Sequence, residues 1–338
     1  NYFSNDWFSY IKIKIMLDIK KIFFKKKILI YGVGKSGLSS YHFLKKNNYI
    51  HLYDDNKKIF NNKKLKKLYI NSKDINKINF DYIVISPGID TKKCKNNNFF
   101  KKNKKKVITD LDIFYIFYNK NKNITITGTN GKSTTAKLLF EILKEHNLDV
   151  RLTGNIGNPI LNERKISKKT IFIIEASSYQ IEYSKQFKAN YAMILNISPD
   201  HLERHETFSK YVKSKFKLVK NQLRNNYAFL NINDKFLKRE IKINKINCNL
   251  IHVNNKLITN KFNKVNNSYF NTFGNQQNLL FIFAISKILK LNKSKIFKII
   301  NNFKGLKFRQ QIIFNSKKIT IINDSKSTSY SSSINILK

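Results

Sequence analysis

Two glycine-rich loops, each lying between a short apolar segment and a helical pattern, constrain the fold of this chain more than any other feature. The first, KILIYGVGKSG, places Gly32, Gly34 and Gly37 in G-x-G-x-x-G spacing. The second lies within ITITGTNGKSTTAKLLFEIL at residues 124–143. Glycines let the backbone approach phosphate oxygens closely, and the start of the following helix favours negative charge. The chain therefore contains two predicted phosphate-binding units of strand–loop–helix form.

Strands and helices are predicted to alternate around both loops. The predicted strands lie at residues 27–32, 49–55, 80–90, 124–127, 170–178 and 191–198. Helices are predicted from residue 35 to about 47, from Ser133 to about 147, and at 208–222 and 278–290, with two further short strands at 311–314 and 318–322. This order predicts parallel sheets whose ligands bind at the carboxyl ends of the strands. The fold class is α/β.

The same pattern predicts a division of the 338 residues into domains. Residues 16–106 form a Rossmann-like domain, 107–302 a central phosphate-loop ATPase domain, and 303–338 the start of a third, Rossmann-like α/β domain. Met16 precedes the first predicted strand by about ten residues, so residues 1–15 are expected to be extraneous upstream sequence.

Composition narrows the class of protein. The formal net charge is +44, but the lysines are spread over every segment without a basic block interleaved with aromatic residues. Nucleic-acid binding is therefore not expected as the main role, although a basic nucleic-acid-binding ATPase stays open as an alternative. The two cysteines, Cys94 and Cys248, are outside any C-x-x-C pattern, and no apolar run reaches the length of a membrane span.

The second loop, Gly128–Thr134, predicts an ATP site. Lys132 would bridge the β- and γ-phosphates, and the hydroxyl of Ser133 or Thr134 would bind Mg²⁺. The loop departs from the G-x-x-x-x-G-K-[ST] pattern only at Ile126, where the pattern has glycine. The predicted ATP-binding residues of this loop are Gly128, Thr129, Asn130, Gly131, Lys132, Ser133 and Thr134.

Three acidic or imidazole side chains lie at the carboxyl ends of two successive predicted strands. Glu175 ends one strand, and Asp200 and His201 follow the next. A carboxylate at such a strand end can reach a Mg²⁺ ion held by a phosphate loop. Glu175 is therefore a candidate metal ligand, and Asp200 and His201 are expected at the same sheet edge.

Four segments in this order, GTNGKST, EASSYQ, NISPDHLERH and NDSKSTS, are similar to the motifs of the Mur ligase family. The resemblance covers about residues 16–338. With GVGKSG and GNIGNP, it is strongest to the members that add D-glutamate to UDP-N-acetylmuramoyl-L-alanine. It implies ATP-dependent amide ligation through an acyl phosphate, in cytoplasmic peptidoglycan precursor synthesis. A sibling Mur ligase or a folylpolyglutamate synthase remains an alternative.

The resemblance also implies roles for individual residues. Lys132, Glu175, His201 and Lys215 would be catalytic, and Ser133, Glu175, His201 and Lys215, as a carbamate, would hold two Mg²⁺ ions. Lys215 falls fourteen residues after His201, and neighbouring Lys213 and Lys217 leave its register open. Further implied ATP contacts are Asn275, Asn278, Arg309, Asp324 and Lys326, with Thr328 in the same last segment. The family's H-N-x-x-N and G-L-P-H-R appear here as GNQQN and GLKFR.

Because the second loop accounts for ATP, the first loop is expected to bind the UDP of the muramoyl substrate rather than NAD. The residues implied for this substrate are Gly32, Gly34, Lys35, Ser36, Asp54, Asp55, Ser86, Gly88, Asn155, Ser177 and Gln180. The expected partners are UDP-N-acetylmuramoyl-L-alanine, D-glutamate and ATP, with a monomeric enzyme, no nucleic acid and no membrane insertion. Since the third domain supplies most of the D-glutamate pocket in this family, the chain alone is expected not to complete ligation.

Overall fold

The computed structural model describes residues 22–254, 264–316 and 318–327, and they form two compact units. Unit 1 comprises the described residues up to Lys120, together with Pro159–Arg164 and Tyr183–Phe187. Unit 2 comprises the other described residues. The predicted upstream segment 1–15 lies outside the described residues.

Unit 1 contains a four-stranded parallel sheet in the order β2-β1-β3-β4. Its strands are β1 Lys27–Tyr31, β2 Tyr49–Tyr53, β3 Tyr82–Ile85 and β4 Val107–Ile108. The helices along this part of the chain are α1 Lys35–Leu44, α2 Lys63–Lys66, α3 Asn97–Lys102 and α4 Asp110–Tyr118. The last four residues of β1 are all buried, which explains why this central strand reads as an unbroken apolar run.

A buried carboxylate fixes the start of α4. Thr109 and Asp112 form a capping box, in which each side chain accepts a hydrogen bond from the other residue's backbone N–H. The second Asp112 oxygen accepts hydrogen bonds from the Ser184 hydroxyl at 2.8 Å and from the backbone N–H groups of residues 185–187. Asp112 is 0% exposed, so this one side chain satisfies several buried donors.

Unit 2 contains a six-stranded, wholly parallel sheet in the order β10-β9-β8-β5-β7-β6. Its strands are β5 Asn123–Thr127, β6 Val150–Gly154, β7 Ile171–Glu175, β8 Tyr191–Ile194, β9 Tyr227–Asn231 and β10 Asn249–Val253. The helices from β5 onward are α5 Lys132–Glu145, α6 Ser178–Tyr183, α7 Leu202–His205, α8 Phe208–Lys220, α9 Lys235–Ile243, α10 Phe273–Ile288 and α11 Lys293–Asn302. An antiparallel hairpin, β11 Gln311–Asn315 and β12 Thr320–Asn323, follows.

The core of unit 2 packs helices against the central strand β5. Ile124 and Ile126 of β5 are buried in one cluster with Leu139 and Leu143 of α5 and with Phe281 of α10. The apolar spacing of the α5 sequence therefore marks the face that meets the sheet.

The position of β5 gathers the functional segments. β8 pairs with one side of β5 and β7 with the other, and all three run parallel. The connections that follow these strands therefore emerge at one sheet edge, where the strand order reverses and ligands bind in α/β sheets.

Most predicted strands and helices are confirmed, although the strands predicted at 80–90, 170–178 and 191–198 end earlier, at residues 85, 175 and 194. Other differences concern one helix start and the predicted domains. β4 pairs with β3, so the first sheet extends past the predicted domain boundary between residues 106 and 107. α10 begins at Phe273 rather than residue 278, because the Thr272 hydroxyl caps it by accepting from the Asn275 N–H. The described part of the third predicted domain is an antiparallel hairpin grouped with unit 2. None of the helices formed by the described residues combines the length and apolarity needed to cross a bilayer.

Candidate functional site

The loop from Gly128 to Gly131 joins β5 to α5 and has a backbone that requires glycine. Gly131 has φ +82°, in the left-handed region. A Cβ atom at this position would lie 2.1 Å from the Asn278 side-chain oxygen. The loop therefore packs tightly against the start of α10, and the backbone before α5 turns as a phosphate-binding loop does.

Hydrogen bonds fix this loop to the segment after β8. The Thr129 N–H donates to the Asn196 carbonyl at 3.0 Å, and the Asn130 N–H donates to the Asn196 side-chain oxygen at 2.9 Å. The Asn196 amide group donates back to the Asn130 carbonyl at 3.1 Å. The Thr129 hydroxyl also bonds the backbone of Ser198. Sequence reasoning missed Asn196, whose only signal was a polar residue at a strand end.

Two lysine ammonium groups converge on the loop. Lys132 Nζ donates to the Gly128 and Thr129 carbonyls at 2.9 and 2.7 Å, and Lys215 Nζ donates to the Gly128 carbonyl at 2.9 Å. Burial lowers the pKa of both ammonium groups, that of Lys215 well below its ordinary value, with repulsion from Lys132 adding to the effect. Within the described part of the chain, neither lysine pairs with a carboxylate within 4.0 Å. The pair is suited to receive an anion.

The structure resolves which lysine of α8 faces the loop. Lys215 is 2% exposed, whereas Lys213 is exposed and Lys217 is partly buried and donates to the Glu182 carbonyl. Lys215 is therefore the α8 lysine placed beside Gly128.

Glu175 ends β7 with its side chain 3% exposed, and its Oε2 atom has no hydrogen-bond partner among the described residues. A buried carboxylate oxygen without a donor is costly unless a cation satisfies it. The backbone carbonyl of Glu175 accepts from the Asn155 N–H at 3.0 Å.

Asp200 and His201 follow β8 at the same edge. His201 has a left-handed backbone with φ +54°, and its Nε2 lies 3.3 Å from Asp200 Oδ2. The strained backbone places an imidazole beside a carboxylate just before α7, and both side chains line the same cavity as Glu175.

A second histidine, which sequence reasoning missed, is buried behind these groups. His205 Nε2 lies 2.9 Å from the Ser178 hydroxyl, and its ring contacts those of Tyr179 and Tyr211. Burial, with the nearby Lys215, lowers the His205 pKa to about 4, so the imidazole is neutral near pH 7.

The far side of the cavity is built by α10 and the segment before β11. The Asn275 amide group donates to the Tyr269 carbonyl and to the Gln310 side-chain oxygen, both at 2.8 Å, and accepts from the Asn278 amide at 3.2 Å. Asp324 accepts from the Gln310 N–H at 3.0 Å. Gly274 occupies the position at which the family pattern H-N-x-x-N has histidine. On this side of the cavity the hydrogen bonds are instead made by the amide side chains of Asn275, Asn278 and Gln310.

These groups surround one cavity of about 570 Å³. The predicted site residues that line it are Thr129, Asn130, Gly131, Lys132, Thr134, Asn155, Glu175, Ser177, His201, Lys215, Asn275, Asn278, Arg309, Asp324 and Lys326. Gly128, Ser133 and Gln180 lie just behind its wall: the Gly128 carbonyl binds both lysines, Ser133 is buried, and Gln180 accepts from Ser177. Thr328 lies outside the described residues.

The donor set suits a metal that is shared with phosphate. In residues 22–254, 264–316 and 318–327, no three His, Cys, Asp or Glu side chains come together as a metal site. Mg²⁺, however, is ordinarily held by one or two carboxylates together with substrate phosphates and water. Glu175, with its unpartnered buried oxygen, fits that role, and His201 and buried Ser133 lie at the same edge.

The predicted residues of unit 1 form a separate group around the first glycine loop. Gly32 has φ +92°, and its carbonyl accepts from the Ser86 hydroxyl at 2.6 Å. Asp54 accepts from the Val33 N–H at 2.6 Å, so it supports the loop backbone. Gly34, Lys35 and Ser36 lie at the start of α1, and a Cβ atom added at Gly88 would meet no heavy atom within 4 Å.

A second cavity, of about 600 Å³, lies in unit 1 at the end of β2. Asp54 and Asp55 are the predicted substrate residues that line it, together with Lys57, Lys73 and Lys95. The acidic pair and the glycine loop therefore lie at the ends of adjacent strands, as the G-x-G-x-x-G pattern predicts.

The amino-acid sequence is similar to one family model and to proteins of known name. Residues 126–296 match the family model of the Mur ligase middle domain. The UDP-N-acetylmuramoylalanine--D-glutamate ligase of Rickettsia bellii is 32% identical over 342 residues, covering 93% of this chain and 74% of that protein. The protein of the same name from Rickettsia felis is 34% identical over 347 residues, with the same coverage.

A solved structure is similar in fold. The UDP-N-acetylmuramate:L-alanyl-gamma-D-glutamyl-meso-diaminopimelate ligase from Neisseria meningitides aligns with a TM-score of 0.55 and 13% sequence identity. The alignment covers 83% of this chain and 99% of that one, which supports a shared multi-domain α/β fold.

Proposed function

Since the chain belongs to the Mur ligase family, we propose that it acts in the ATP-dependent ligation of D-glutamate to UDP-N-acetylmuramoyl-L-alanine, a step of peptidoglycan precursor synthesis. The observation that carries this proposal is the convergence of a phosphate loop, the partly buried Lys132, the buried Lys215 and an unpartnered buried carboxylate in one cavity. That arrangement binds a polyanion and a divalent cation together, which phosphoryl transfer from ATP requires.

ATP is proposed to bind with its phosphates on the Gly128–Thr134 loop. Lys132 would leave the loop carbonyls to contact the β- and γ-phosphates, and the N-terminal end of α5 would face them. Asn275, Asn278 and Arg309 would contact the nucleoside, with Asp324 and Lys326 beside them. Because the developing charge stays on phosphate oxygens, this site acts through positioning and electrostatics.

Two Mg²⁺ ions are proposed here, held by Ser133, Glu175, His201 and a modified Lys215. When bound, they would neutralise charge that otherwise repels the substrate carboxylate from the γ-phosphate. Glu175 lines the cavity, and the burial of its unpartnered oxygen limits competition from bulk water.

Lys215 is proposed to react with CO₂ to form a carbamate. Its neutral amine nitrogen attacks the CO₂ carbon, one C–O π pair moves to oxygen, and the nitrogen gives a proton to water. Geometry supports this step, because Lys215 is buried beside the loop without a carboxylate partner in the described chain. The lowered pKa of this lysine favours the nucleophilic amine. The product is an anion that can ligate a cation where an ammonium cannot.

The UDP-muramoyl substrate is proposed to use the residues of the first loop and of the segments after β6 and β7. In unit 1 these are Gly32, Gly34, Lys35, Ser36, Asp54, Asp55, Ser86 and Gly88, and in unit 2 they are Asn155, Ser177 and Gln180.

Once ATP has phosphorylated the substrate carboxylate, the amine of D-glutamate attacks the carbonyl carbon. Phosphate then leaves with the C–O electron pair. We also propose a cytoplasmic monomer.

Binding selectivity separates this proposal from a sibling ligase. The chain should bind UDP-N-acetylmuramoyl-L-alanine at least about tenfold more tightly than UDP-N-acetylmuramic acid or a UDP-muramoyl dipeptide, a difference of about 1.4 kcal/mol. Calorimetry measures the three dissociation constants. Tighter binding of UDP-N-acetylmuramic acid or of the dipeptide than of UDP-N-acetylmuramoyl-L-alanine would contradict the assignment.

A further inference from the structure

One buried histidine beside the proposed ATP site takes no part in the chemistry described above. His205 has a side chain that is 1% exposed, and its Nε2 lies 2.9 Å from the Ser178 hydroxyl. Its Nδ1 lies 3.7 Å from Glu182 Oε2. The hydrogen bond between Nε2 and the Ser178 hydroxyl is available to either ring tautomer, because a hydroxyl can both donate and accept.

Two tyrosines hold the plane of this ring. Tyr179 stacks on the His205 imidazole at 5.4 Å with 23° between the planes. Tyr211 meets it edge-on, at 5.3 Å and 63°. Both separations lie in the range of favourable aromatic pairs. The hydrogen bond to Ser178 then fixes the remaining rotation of the imidazole.

Through Tyr211, the histidine is connected to the proposed phosphate site. The Tyr211 hydroxyl lies 3.1 Å from the Thr129 hydroxyl in the loop. Lys215 Nζ lies 4.6 Å from the centre of the Tyr211 ring. A displacement of Tyr211 would therefore disturb both the loop and the lysine beneath it.

Through Ser178, the histidine is connected to the proposed metal ligand of β7. Ser178 is the first residue of α6 and follows Glu175 by three residues. We infer that His205 is a positioning residue that holds the turn after Glu175 and the Tyr211 side chain at a fixed separation. It thereby keeps Glu175 and the phosphate loop in the one geometry that binds Mg²⁺ and triphosphate together. This inference rests on the proposed function.

The test compares nucleotide affinity with and without metal. The dissociation constant of a fluorescent ATP analogue is measured in Mg²⁺ and in EDTA for the wild-type chain and for His205→Phe, His205→Gln and Ser178→Ala. Loss of an outer partner of a metal site typically costs 10–100-fold, so His205→Phe should weaken binding in Mg²⁺ about tenfold and binding in EDTA less than about threefold. Ser178→Ala should reproduce most of this loss, and the double variant should be no weaker than His205→Phe.

His252, an exposed histidine of β10, supplies the matched control, and His252→Phe should change neither constant. A general structural role would lower both affinities together with the melting temperature. His205→Gln, which keeps a polar group near Ser178 but not the ring, should fall between wild type and His205→Phe. If His205→Phe does not fold, His205→Gln and Ser178→Ala provide the test: each should lose more nucleotide affinity in Mg²⁺ than in EDTA.

Three results distinguish failure of the inference from failure of the proposed function. A wild-type chain that binds the Mg²⁺ nucleotide, with folded His205 variants that bind it equally well, overturns the positioning role alone. Additive effects of Ser178→Ala and His205→Phe would also overturn it, because residues that act as one unit are not additive. A wild-type chain that does not bind the nucleotide overturns the proposed function and the inference with it.

Discussion

Gly131 shows how one backbone position can set the shape of the proposed ATP site. Its left-handed φ of +82° and the Asn278 oxygen, 2.1 Å from a hypothetical Cβ, both exclude a side chain. The glycine thus allows α10 to approach the loop, and Asn278 becomes both a neighbour of the loop and a lining residue of the cavity. The loop conformation and the proposed nucleoside contact of Asn278 depend on the same close approach.

Gly131→Ala should therefore destabilise the chain by about 1–3 kcal/mol and also weaken ATP binding. Urea unfolding gives the free energy, and calorimetry gives the affinity. Gly88→Ala is the control, since a Cβ atom there would meet no heavy atom beyond its chain neighbours within 4 Å and its φ is not left-handed; it should change stability by less than about 0.5 kcal/mol. Equal effects of the two substitutions would contradict the argument.

Lys215 allows a residue-level test of the carbamate. With ¹³CO₂ present, the wild-type chain should give a carbamate carbon signal by NMR that is lost in Lys215→Gln. Lys213→Gln, an exposed lysine two residues away, should keep that signal. Lys215→Gln should also weaken Mg²⁺–ATP binding by about tenfold or more. If the signal survives in Lys215→Gln, the carbamate is not on Lys215, and the proposal is contradicted.

At the scale of single elements, the start of α4 depends on one buried carboxylate. Asp112→Ala would leave the N–H groups of residues 185–187 and the Ser184 hydroxyl without this acceptor. Each unsatisfied buried donor costs about 1–3 kcal/mol, so a loss of at least about 3 kcal/mol is expected.

Chemical denaturation of Asp112→Ala measures this loss. Asp74→Ala is the comparison, because Asp74 forms a solvent-exposed pair with Lys77, and its loss should cost far less than the loss of Asp112. A similar, small change in both variants would mean that water replaces Asp112 without penalty.

The elements that sequence patterns predicted are those whose own residues specify them. β1 and β7 are largely apolar runs buried in parallel sheets, and β5 is a fully buried strand in which isoleucine alternates with Asn and Thr. The two glycine loops fix where strands end and helices begin. β4 has only two residues, too few to give a pattern, and it exists because β3 offers an edge to pair with.

The site residues that were missed act through tertiary contacts. Asn196 is defined by its bonds to the phosphate loop, 66 residues away in the sequence, and His205 by its bond to Ser178, 27 residues away. Periodicity and propensity carry no information on such pairs. Lys215 is an intermediate case. The family resemblance suggested this residue, but only its burial on α8 distinguishes it from the exposed Lys213.

At the scale of the whole molecule, stability should depend on pH through His205. Its pKa of about 4 in the folded chain lies below the ordinary value of 6.5, so the unfolded chain binds more protons between these limits. The free energy of unfolding should therefore fall as pH falls through this window, with a contribution from His205 of about 2 kcal/mol lost by pH 5.

The free energy of unfolding of wild type and of His205→Phe, measured at pH 7 and at pH 5, isolates the contribution of His205 to the pH dependence. The variant lacks the titrating group, so its stability relative to wild type should rise by about 2 kcal/mol at the lower pH. A constant difference between the two chains would mean that His205 is not held neutral by burial.

The central claim is that the cavity at the end of β5 binds ATP together with a divalent cation. Calorimetric titration of the chain with ATP, first in Mg²⁺ and then in EDTA, tests it most directly. We predict saturable binding with one nucleotide per chain in Mg²⁺, at least about tenfold weaker binding in EDTA, and loss of that metal dependence in Glu175→Gln. Absence of binding, or equal affinity in Mg²⁺ and EDTA for the wild-type chain, would contradict the account.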